Sequence, residues 1–270
     1  MNKKKFFLEE KDMKYDFTGK VILASGAASG MGFLACKRVV EFGGSAVLCD
    51  ISEEALAGAV EEINAIREGS AIGVKCDVRK YDEICHVRDE AVRVFGRIDI
   101  LAPFAGGAEL RMLKVEEKDF CKVPIEVYDW GIDVNLKSQL YFDHAVLPVM
   151  IEQKSGTIVH IGSVTGEEGS WTVVAYSTAK SGVMNGLTKS IALYAAPYGI
   201  TCNCIAPGPV MTRASMANMI TPLGRAAEPD EIVDFMMYLA SPEGSFFTGQ
   251  SILIDGGRSI MHNRNNSKGR

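Results

Sequence analysis

The sequence predicts a doubly wound α/β fold, in which helices cover both faces of one parallel sheet. Apolar runs of strand length alternate with amphipathic stretches of helical length, and a glycine-rich loop joins the first run to the first helical stretch. The chain has 270 residues and 47% apolar content, enough for a large core. Its motifs follow one another without a Pro/Ser-rich linker, which indicates a single domain.

The predicted elements alternate along the whole chain. The first strand is Val21 to Ala24, and the glycine loop leads into a helix from Phe33 to Phe42. The next elements are a strand at 45–51, a helix at 53–68, a strand at 71–78, a helix at 82–95 and a strand at 98–102. The last are a helix at 134–153, a strand at 156–161, a helix at 176–198, and strands at 201–205 and 250–254. Strands separated by helices predict parallel pairing.

The first loop carries three glycines in a G-x-x-x-G-x-G pattern, Gly26, Gly30 and Gly32. Glycines let the backbone turn sharply and approach a pyrophosphate closely, and the free N–H groups of the following helix can bind its charge. Taken alone, such a pattern marks a plain turn about as often as a phosphate site. Its position between a strand and a helix favours a dinucleotide site.

Asp50 ends the second predicted strand, about 20 residues after the loop, where a carboxylate can accept hydrogen bonds from an adenosine ribose. The same carboxylate would repel a 2′-phosphate. Because no Arg or Lys lies between Gly26 and Gly32 to offset that repulsion, the sequence predicts NAD(H) rather than NADP(H).

Tyr176, Lys180 and the upstream Ser163 form a second group. Residues four apart on a helix share a face, so the Lys180 ammonium can lie near the Tyr176 hydroxyl and favour its phenolate form. Such a tyrosine can exchange a proton near neutral pH. Each residue type also has a plain role in packing or hydrogen bonding, and only the joint pattern indicates a hydride-transfer site.

Over roughly residues 15 to 258 the chain resembles the classical short-chain dehydrogenase/reductase family. The resemblance rests on an ordered set of motifs: the glycine loop with Ser25 in place of Thr, Asp77-Val78, Val134-Asn135-Leu136, Ser163, Tyr176 to Lys180, Pro207-Gly208 through Thr212, and Thr248 through Gly257. It implies that residues 15–258 form the catalytic domain. Residues 1–14 and 259–270 are expected to be flexible extensions.

The resemblance implies an NAD-dependent enzyme that interconverts a secondary alcohol and a ketone. Tyr176 would be the general acid/base, and Ser163 would donate a hydrogen bond to the substrate oxygen. Lys180 would hold the nicotinamide ribose and favour the phenolate, while Asn135 would hold a water molecule in a proton relay. The residues implied at the cofactor are Ser25, Gly26, Ser29, Gly30, Met31, Gly32, Asp50, Ile51, Asp77, Val78, Ala105, Gly106, Tyr176, Lys180, Pro207, Gly208, Val210 and Thr212. Those implied at the substrate are Gly107, Ser163, Thr165, Trp171 and Tyr176.

The chain departs from the family pattern near the substrate. Pro103-Phe104 replaces the usual Asn-Asn before Ala105-Gly106, the stretch between Gly106 and Trp130 is long, and the 212–222 loop is short. A short loop favours an open pocket, covered by the 107–127 insertion or by another subunit; surface decoration is an equal alternative for the insertion. Trp171 could stack on a substrate ring, and the neighbouring glutamates could bind hydroxyls, although solvated loop charge is the plainer interpretation.

Charge and residue spacing disfavour several other classes. A net charge of −5 without a basic stripe argues against nucleic acid as a partner. The apolar stretches fall short of the roughly 20 residues that span a bilayer, and the apolar run at 6–8 is too short for a signal sequence, so a cytoplasmic protein is expected. Seven cysteines without a Cys-x-x-Cys pair predict buried free thiols, and with four scattered histidines they predict no metal site.

Two other functions stay open. One is a 3-oxoacyl carrier-protein reductase that uses NADPH, and the other is a cofactor-binding sensor or scaffold without catalysis, which Pro103-Phe104 would fit. The resemblance also implies a homotetramer paired through the long helices. Side-chain chemistry does not separate a sugar, polyol, sterol or similar small-molecule substrate.

Overall fold

A computed structural model describes residues 15–261 and contains one parallel sheet of seven strands in the order β3-β2-β1-β4-β5-β6-β7. The strands are β1 Val21–Ser25, β2 Ser45–Asp50, β3 Ala71–Lys75, β4 Ile100–Pro103, β5 Gly156–Ile161, β6 Ile200–Pro207 and β7 Ser251–Ile254. The strand order reverses between β1 and β4, and in open parallel sheets such a switch opens a crevice at the carboxyl ends of the strands. The predicted doubly wound fold is confirmed.

Helices cover both faces of this sheet. In the described part of the chain they are α1 Gly30–Glu41, α2 Glu53–Asn64, α3 Tyr81–Phe95, α4 Glu109–Met112, α5 Ile125–Ile132, α6 Ser138–Gln153, α7 Val164–Glu168, α8 Val174–Ser181, α9 Thr188–Ala195 and α10 Pro229–Ala240. π-helical turns at Asp133–Lys137 and Gly182–Leu187 join α5 to α6 and α8 to α9. Short 3₁₀ turns lie at Ala196–Tyr198, Ala214–Asn218, Pro242–Gly244 and Arg258–Ile260.

Two apolar layers hold the sheet between the helices. Successive strand side chains point to opposite faces, so Ile22 enters the layer under α1, α2 and α10, and Leu23 enters the layer under α3, α6 and α9. Both side chains are fully buried. Because each strand is covered on both faces, the sheet needs near-continuous apolar runs, and those runs are the signal that located the strands in the sequence.

The element boundaries differ from the predicted ones for local reasons. The helix predicted to reach residue 68 ends at Asn64, whose side-chain amide exchanges two hydrogen bonds with the backbone of Ala71. The strand predicted to reach residue 78 ends at Lys75, because its partner strand ends at Asp50. The helix predicted to start at Val134 is the continuation of α5.

Helix α10 was not predicted, although its start carries a recognisable signal. Pro229 occupies the first turn, and Glu228 and Glu231 form a reciprocal capping box.

Five of the seven cysteines are buried and all seven are free, which confirms the prediction of buried free thiols for five of them. Within residues 15–261, no helix combines the length and apolar character needed to cross a membrane.

The predicted flexible extensions lie largely outside the described residues. Residues 1–14 and 262–270 are not described. The described start of the C-terminal segment belongs to the 3₁₀ turn Arg258–Ile260, and the Ser259 N–H donates to the carboxylate of Asp255 at 2.7 Å.

Candidate active site

Two adjoining cavities occupy the crevice at the carboxyl ends of the strands. The Asp50 cavity, about 310 Å³, is lined mainly by the glycine loop and by the ends of β2 and β3. The Tyr176 cavity, about 360 Å³, is lined mainly by α8 and by the segments that follow β4, β5 and β6. Phe104 and Gly106 line both, so a long ligand could extend from one cavity into the other.

The glycine loop has the close packing that the sequence pattern predicts. Gly26 has a φ of +61°, and a Cβ there would lie 2.8 Å from the Cα of Ala105. A Cβ on Gly32 would lie 2.5 Å from the Gly26 carbonyl oxygen. Ser29 begins α1 without a side-chain cap, so the first-turn N–H groups keep their capacity to bind an anion.

Asp50 is held at the end of β2 by the loops on either side. Its carboxylate accepts hydrogen bonds from the Ala28 N–H at 3.2 Å and the Ser52 N–H at 3.0 Å. Both oxygens keep a further lone pair for a ligand hydroxyl. The predicted neighbours Ile51, Asp77 and Val78 line the same cavity.

Ser25 joins the strand ends where the family's two asparagine side chains are missing. Its carbonyl accepts from the Phe104 N–H at 3.1 Å, and its Oγ accepts from the Ala105 N–H at 3.2 Å. Pro103, directly opposite Ser25, ends β4. Backbone and hydroxyl contacts therefore support this segment without the amides.

Asn135 lies fully buried in the first π-helical turn. Its Nδ2 donates to the carbonyls of Gly107 at 3.0 Å and Gly131 at 2.8 Å, and its Oδ1 accepts from the Gly107 N–H at 2.9 Å. The side chain therefore positions the segment that follows β4. Its relay role stays a prediction.

Ser163, Tyr176 and Lys180 meet in the Tyr176 cavity. Ser163 follows β5, and α8 carries the other two. The Lys180 Nζ donates to the Ile161 carbonyl at 2.7 Å and lies 5.7 Å from the centre of the Tyr176 ring. Burial lowers the pKa of Lys180 to about 8.

Opposing effects act on the Tyr176 hydroxyl. Burial raises the pKa of Tyr176, whereas a hydrogen bond with Ser163 and the positive charges of Arg111 and Arg213 lower it. The negative charge of Glu109 raises it again. The charges that act on this pKa are those of the two arginines and Glu109, so a contribution of Lys180 to the phenolate stays a prediction.

Glu109 is a buried carboxylate that fixes α4 against the start of α8. It is 0% exposed, and it accepts hydrogen bonds from the N–H groups of Ala175 at 3.0 Å and Tyr176 at 3.2 Å. These donors lie in the first turn of α8, where the helix dipole also favours a negative charge. Glu109 therefore sets the position of Tyr176 from a segment distant in sequence.

Comparison with known proteins places this fold and site. Residues 26–259 match a family model described as enoyl-(acyl carrier protein) reductase. The chain is 35% identical over 253 residues to the 3-oxoacyl-[acyl-carrier-protein] reductase of Thermotoga maritima, a match that covers 90% of this chain and 98% of that protein. The chain belongs to the short-chain dehydrogenase/reductase family.

Two further members of the family illustrate its range. Cis-4-hydroxycyclohexanecarboxylate dehydrogenase of Sinomonas cyclohexanicum is 33% identical over 259 residues, which cover 91% of this chain and 98% of that protein. The solved structure of a 3-oxoacyl-[acyl-carrier protein] reductase with bound NAD from Brucella melitensis has a TM-score of 0.83 and 27% identity. That match covers 94% of this chain and 97% of the other.

The structure brings most of the predicted residues of this short-chain dehydrogenase/reductase to the two cavities. The predicted cofactor residues that line them are Gly26, Ser29, Met31, Asp50, Ile51, Asp77, Val78, Ala105, Gly106, Tyr176, Lys180, Pro207, Gly208, Val210 and Thr212. Ser25, Gly30 and Gly32 support the loop behind this surface. Of the predicted substrate residues, Gly107, Ser163, Thr165 and Tyr176 line the Tyr176 cavity.

Trp171 lies outside both cavities. The Ser170 hydroxyl accepts hydrogen bonds from the N–H groups of Thr172 and Val173, and this tight turn leaves Trp171 at its tip, 78% exposed. The structure therefore does not bring this side chain to the reacting group.

Sequence reasoning missed several lining residues. Arg79, Met112, Trp130 and Val134 line the Asp50 cavity, and Ala108, Arg111, Arg213, Met216, Met219 and Arg258 line the Tyr176 cavity. Met216 and Met219 belong to the short 212–222 loop, which therefore still covers part of the Tyr176 cavity. The 107–127 insertion reaches the cavities only through its first residues, while Leu110, Val123 and Val127 form a separate apolar cluster. No group of three or more potential metal ligands occurs among residues 15–261.

Proposed function

We propose that this protein is an NAD(H)-dependent oxidoreductase that interconverts a secondary alcohol and a ketone. The observation that carries the proposal is the meeting of Ser163, Tyr176 and Lys180 in one cavity that adjoins the glycine-loop cavity. This arrangement presents a proton donor, a second hydrogen-bond donor and a buried cation beside a surface suited to a dinucleotide.

The residues present fit a nicotinamide dinucleotide. The uncapped start of α1 suits a pyrophosphate, and the Asp50 carboxylate suits the ribose hydroxyls of NAD rather than a 2′-phosphate. Gly26 packs so closely against Ala105 that any side chain at position 26 would push the loop out of place. When bound, the nicotinamide accepts or donates the hydride.

The chain's own residues handle the proton. In alcohol oxidation, the phenolate form of Tyr176 would take the hydroxyl proton, and a bound nicotinamide would accept the hydrogen on the carbinol carbon as hydride. In ketone reduction, the neutral form of Tyr176 would return the proton to the substrate oxygen. Ser163 donates a hydrogen bond to the substrate oxygen as charge develops there. Arg111 and Arg213 counteract the effect of burial on the pKa of Tyr176. Lys180 is placed to hold the ribose.

Replacing the proposed acid/base tests this assignment. The Tyr176→Phe variant should lose turnover by about 10²–10⁴-fold, the usual contribution of a positioned acid/base, and should bind NADH as the wild type does. Tyr238→Phe is the matched control, because Tyr238 lies on α10 and lines neither cavity. Turnover by Tyr176→Phe close to wild type would reject the assignment.

Cofactor choice is tested by fluorescence titration with NADH and NADPH. We expect NADH to bind more tightly than NADPH. Asp50→Ala should reduce this difference in affinity, because it removes the carboxylate that repels a 2′-phosphate. Comparable kcat/KM values with the two cofactors in the wild type would contradict the NAD assignment.

A 3-oxoacyl carrier-protein reductase is the second candidate, favoured by the similarity to the Thermotoga maritima enzyme. The solved Brucella melitensis reductase holds NAD, so NAD preference alone does not separate the two candidates. A 3-oxoacyl thioester and simple ketones, compared as substrates with NADH, separate them. Tight NADH binding without turnover of either class would favour the noncatalytic sensor.

We also propose a cytoplasmic homotetramer acting on a small molecule. Exposed apolar side chains on α6 and α9 support pairing through these helices, namely Leu140, Leu193 and Tyr194. Light scattering after size-exclusion chromatography measures the assembly, and a monomeric mass would contradict it.

A further inference from the structure

The Tyr176 cavity has an unusual charge for a chain with a net charge of −5. Its lining contains Arg111, Lys180, Arg213 and Arg258, and within the described residues no Asp or Glu side chain lines it. Cations concentrated in a cleft raise the local concentration of anions. The cavity is therefore suited to a ligand with a negative charge.

Two of these four cations already have protein partners. The Lys180 Nζ donates to the Ile161 carbonyl at 2.7 Å. Arg258 forms an ion pair with Glu168 at 3.3 Å, and its side chain is only 21% exposed. Neither residue is a ready site for an anionic group of the substrate.

Arg111 and Arg213 differ from these two. The Arg111 guanidinium has no hydrogen bond or ion pair with any residue between 15 and 261, and the Arg213 guanidinium makes a single hydrogen bond there, to the Ser215 hydroxyl at 3.1 Å. An arginine carries five N–H donors and keeps its charge at any physiological pH. Both side chains therefore retain most of their capacity to bind an anion.

Both arginines line the Tyr176 cavity although they come from distant segments. The charge of Arg213 adds to burial in lowering the pKa of Arg111, and both charges act on Tyr176. Glu109 holds α4 on the start of α8, and an Arg111 Nη lies 2.9 Å from the place a Cβ on Gly107 would occupy. Two like charges held close to each other are stabilised when an anion binds between them.

We propose that Arg111 and Arg213 bind a carboxylate of the substrate, so that the enzyme acts on a hydroxy acid and its oxo acid rather than on a neutral alcohol. The planar guanidinium fork matches the two oxygens of a carboxylate. The proposal rests on the proposed function, because Tyr176 defines where the reacting carbon lies. A phosphate of the cofactor or of a carrier thioester presents similar oxygens, and the experiments separate these sources.

The first experiment measures binding without turnover. Cyclohexanecarboxylate and cyclohexanecarboxamide are titrated into the NADH-loaded protein by calorimetry. The acid should bind about tenfold tighter than the amide, the effect of one charge-assisted hydrogen-bonded contact. Arg111→Met and Arg213→Met should each remove most of that preference. Arg93→Met is the matched control, since Arg93 lies on α3, pairs with Glu90 and is 66% exposed.

Three results of the binding experiment would overturn the proposal. One is equal affinity for acid and amide in the wild type, and the second is an unchanged preference in both arginine variants. The third is a loss of NADH affinity in those variants, which would assign the arginines to the cofactor phosphates.

The second experiment measures turnover on matched substrates, 4-hydroxycyclohexanecarboxylate and its methyl ester. The ratio of kcat/KM for acid over ester should fall about tenfold in each arginine variant. A change in the pKa of Tyr176 affects both substrates equally and cancels in this ratio. If the wild type oxidises the ester as well as the acid, or prefers a carrier thioester to both, the carboxylate proposal fails. If it oxidises no alcohol at all, the proposed function fails, and the binding experiment still decides the role of the arginines.

Discussion

The two sides of the crevice are built in different ways. The cofactor side relies on backbone, namely the close packing of Gly26 and Gly32 and the uncapped start of α1. Its charged side chains are Asp50 and the ion pair of Asp77 with Arg79. The substrate side relies on side chains from distant segments, with Glu109 and Arg111 from the insertion and Arg213 from the loop after β6. The main features of the cofactor side can be read from short stretches of sequence. The substrate side is assembled only when folding brings its distant segments together.

This difference predicts how each side responds to substitution. Changes on the cofactor side should alter stability and NADH binding together, because loop packing and the binding surface are the same atoms. Changes on the substrate side should alter turnover and leave NADH binding in place.

The largest effect is expected at a buried network on β5, next to Ile161, which lines the Tyr176 cavity. His160 on β5 bonds the Asp143 carboxylate at 2.9 Å and the Thr188 hydroxyl at 2.9 Å, with the side chains of His160 and Asp143 at most 1% exposed. His160→Leu leaves a buried carboxylate without its partner, so the free energy of unfolding should fall by about 3–5 kcal/mol. Urea denaturation measures it, with exposed His86→Leu as the control. A loss of less than about 1 kcal/mol would show that the network contributes little to the stability of the fold.

The next effect concerns Lys180, where the two sides meet. Burial lowers the pKa of Lys180 to about 8, so between about pH 8 and its unfolded value of about 10.4 the unfolded chain binds more protons than the folded one. The destabilisation by the buried charge is thus complete below pH 8 and is lost as pH rises. Relative to Lys180→Met, the wild type should gain roughly 2–3 kcal/mol of unfolding free energy between about pH 7 and 10.

Taking this difference cancels the titration of groups that Lys180 does not affect. Lys180 does act on Cys204, but burial raises the pKa of that thiol to about 11, above the range of the measurement. The measurement is urea denaturation of the cofactor-free proteins at several pH values. A difference that stays constant with pH would contradict the lowered pKa of Lys180.

A smaller effect is expected in the glycine loop. Gly26→Ala places a Cβ 2.8 Å from the Ala105 backbone at a φ of +61°, so it should destabilise the protein by about 1–3 kcal/mol and weaken NADH binding. Gly58→Ala is the control, because Gly58 lies in α2 with no atom within 4 Å of the added Cβ, and there alanine should stabilise by up to about 1 kcal/mol. An unchanged NADH affinity in Gly26→Ala would contradict the expectation that loop packing and NADH binding change together.

The smallest change in stability is expected for Glu109→Gln. The amide would turn an NH₂ group toward one of the two backbone N–H donors at the start of α8, costing about 1 kcal/mol of stability. Because Tyr176 supplies one of those donors, turnover should fall about tenfold while the Kd for NADH stays the same. An equal loss of NADH affinity would remove the distinction between the two sides.

Much of this protein could be predicted from sequence because the signals are local. The strand runs, the glycine loop, Asp50 and the Tyr176–Lys180 spacing each depend on a few neighbouring residues, and the structure places them where the patterns predict. Trp171 shows the limit of that reasoning. Its position between Ser163 and Tyr176 suggested substrate contact, but a turn closed by Ser170 directs it to solvent.

The sequence by itself determined the fold class and the family, because hydrophobic periodicity and short motifs are properties of adjacent residues. Only the tertiary structure decided the charge of the substrate side. Glu109 and Arg111 are ordinary charged residues in a short helix, and Arg213 is one in a loop. They acquire roles because the sheet brings the segments after β4 and β6 to the same edge, where burial and nearby charges act on Tyr176.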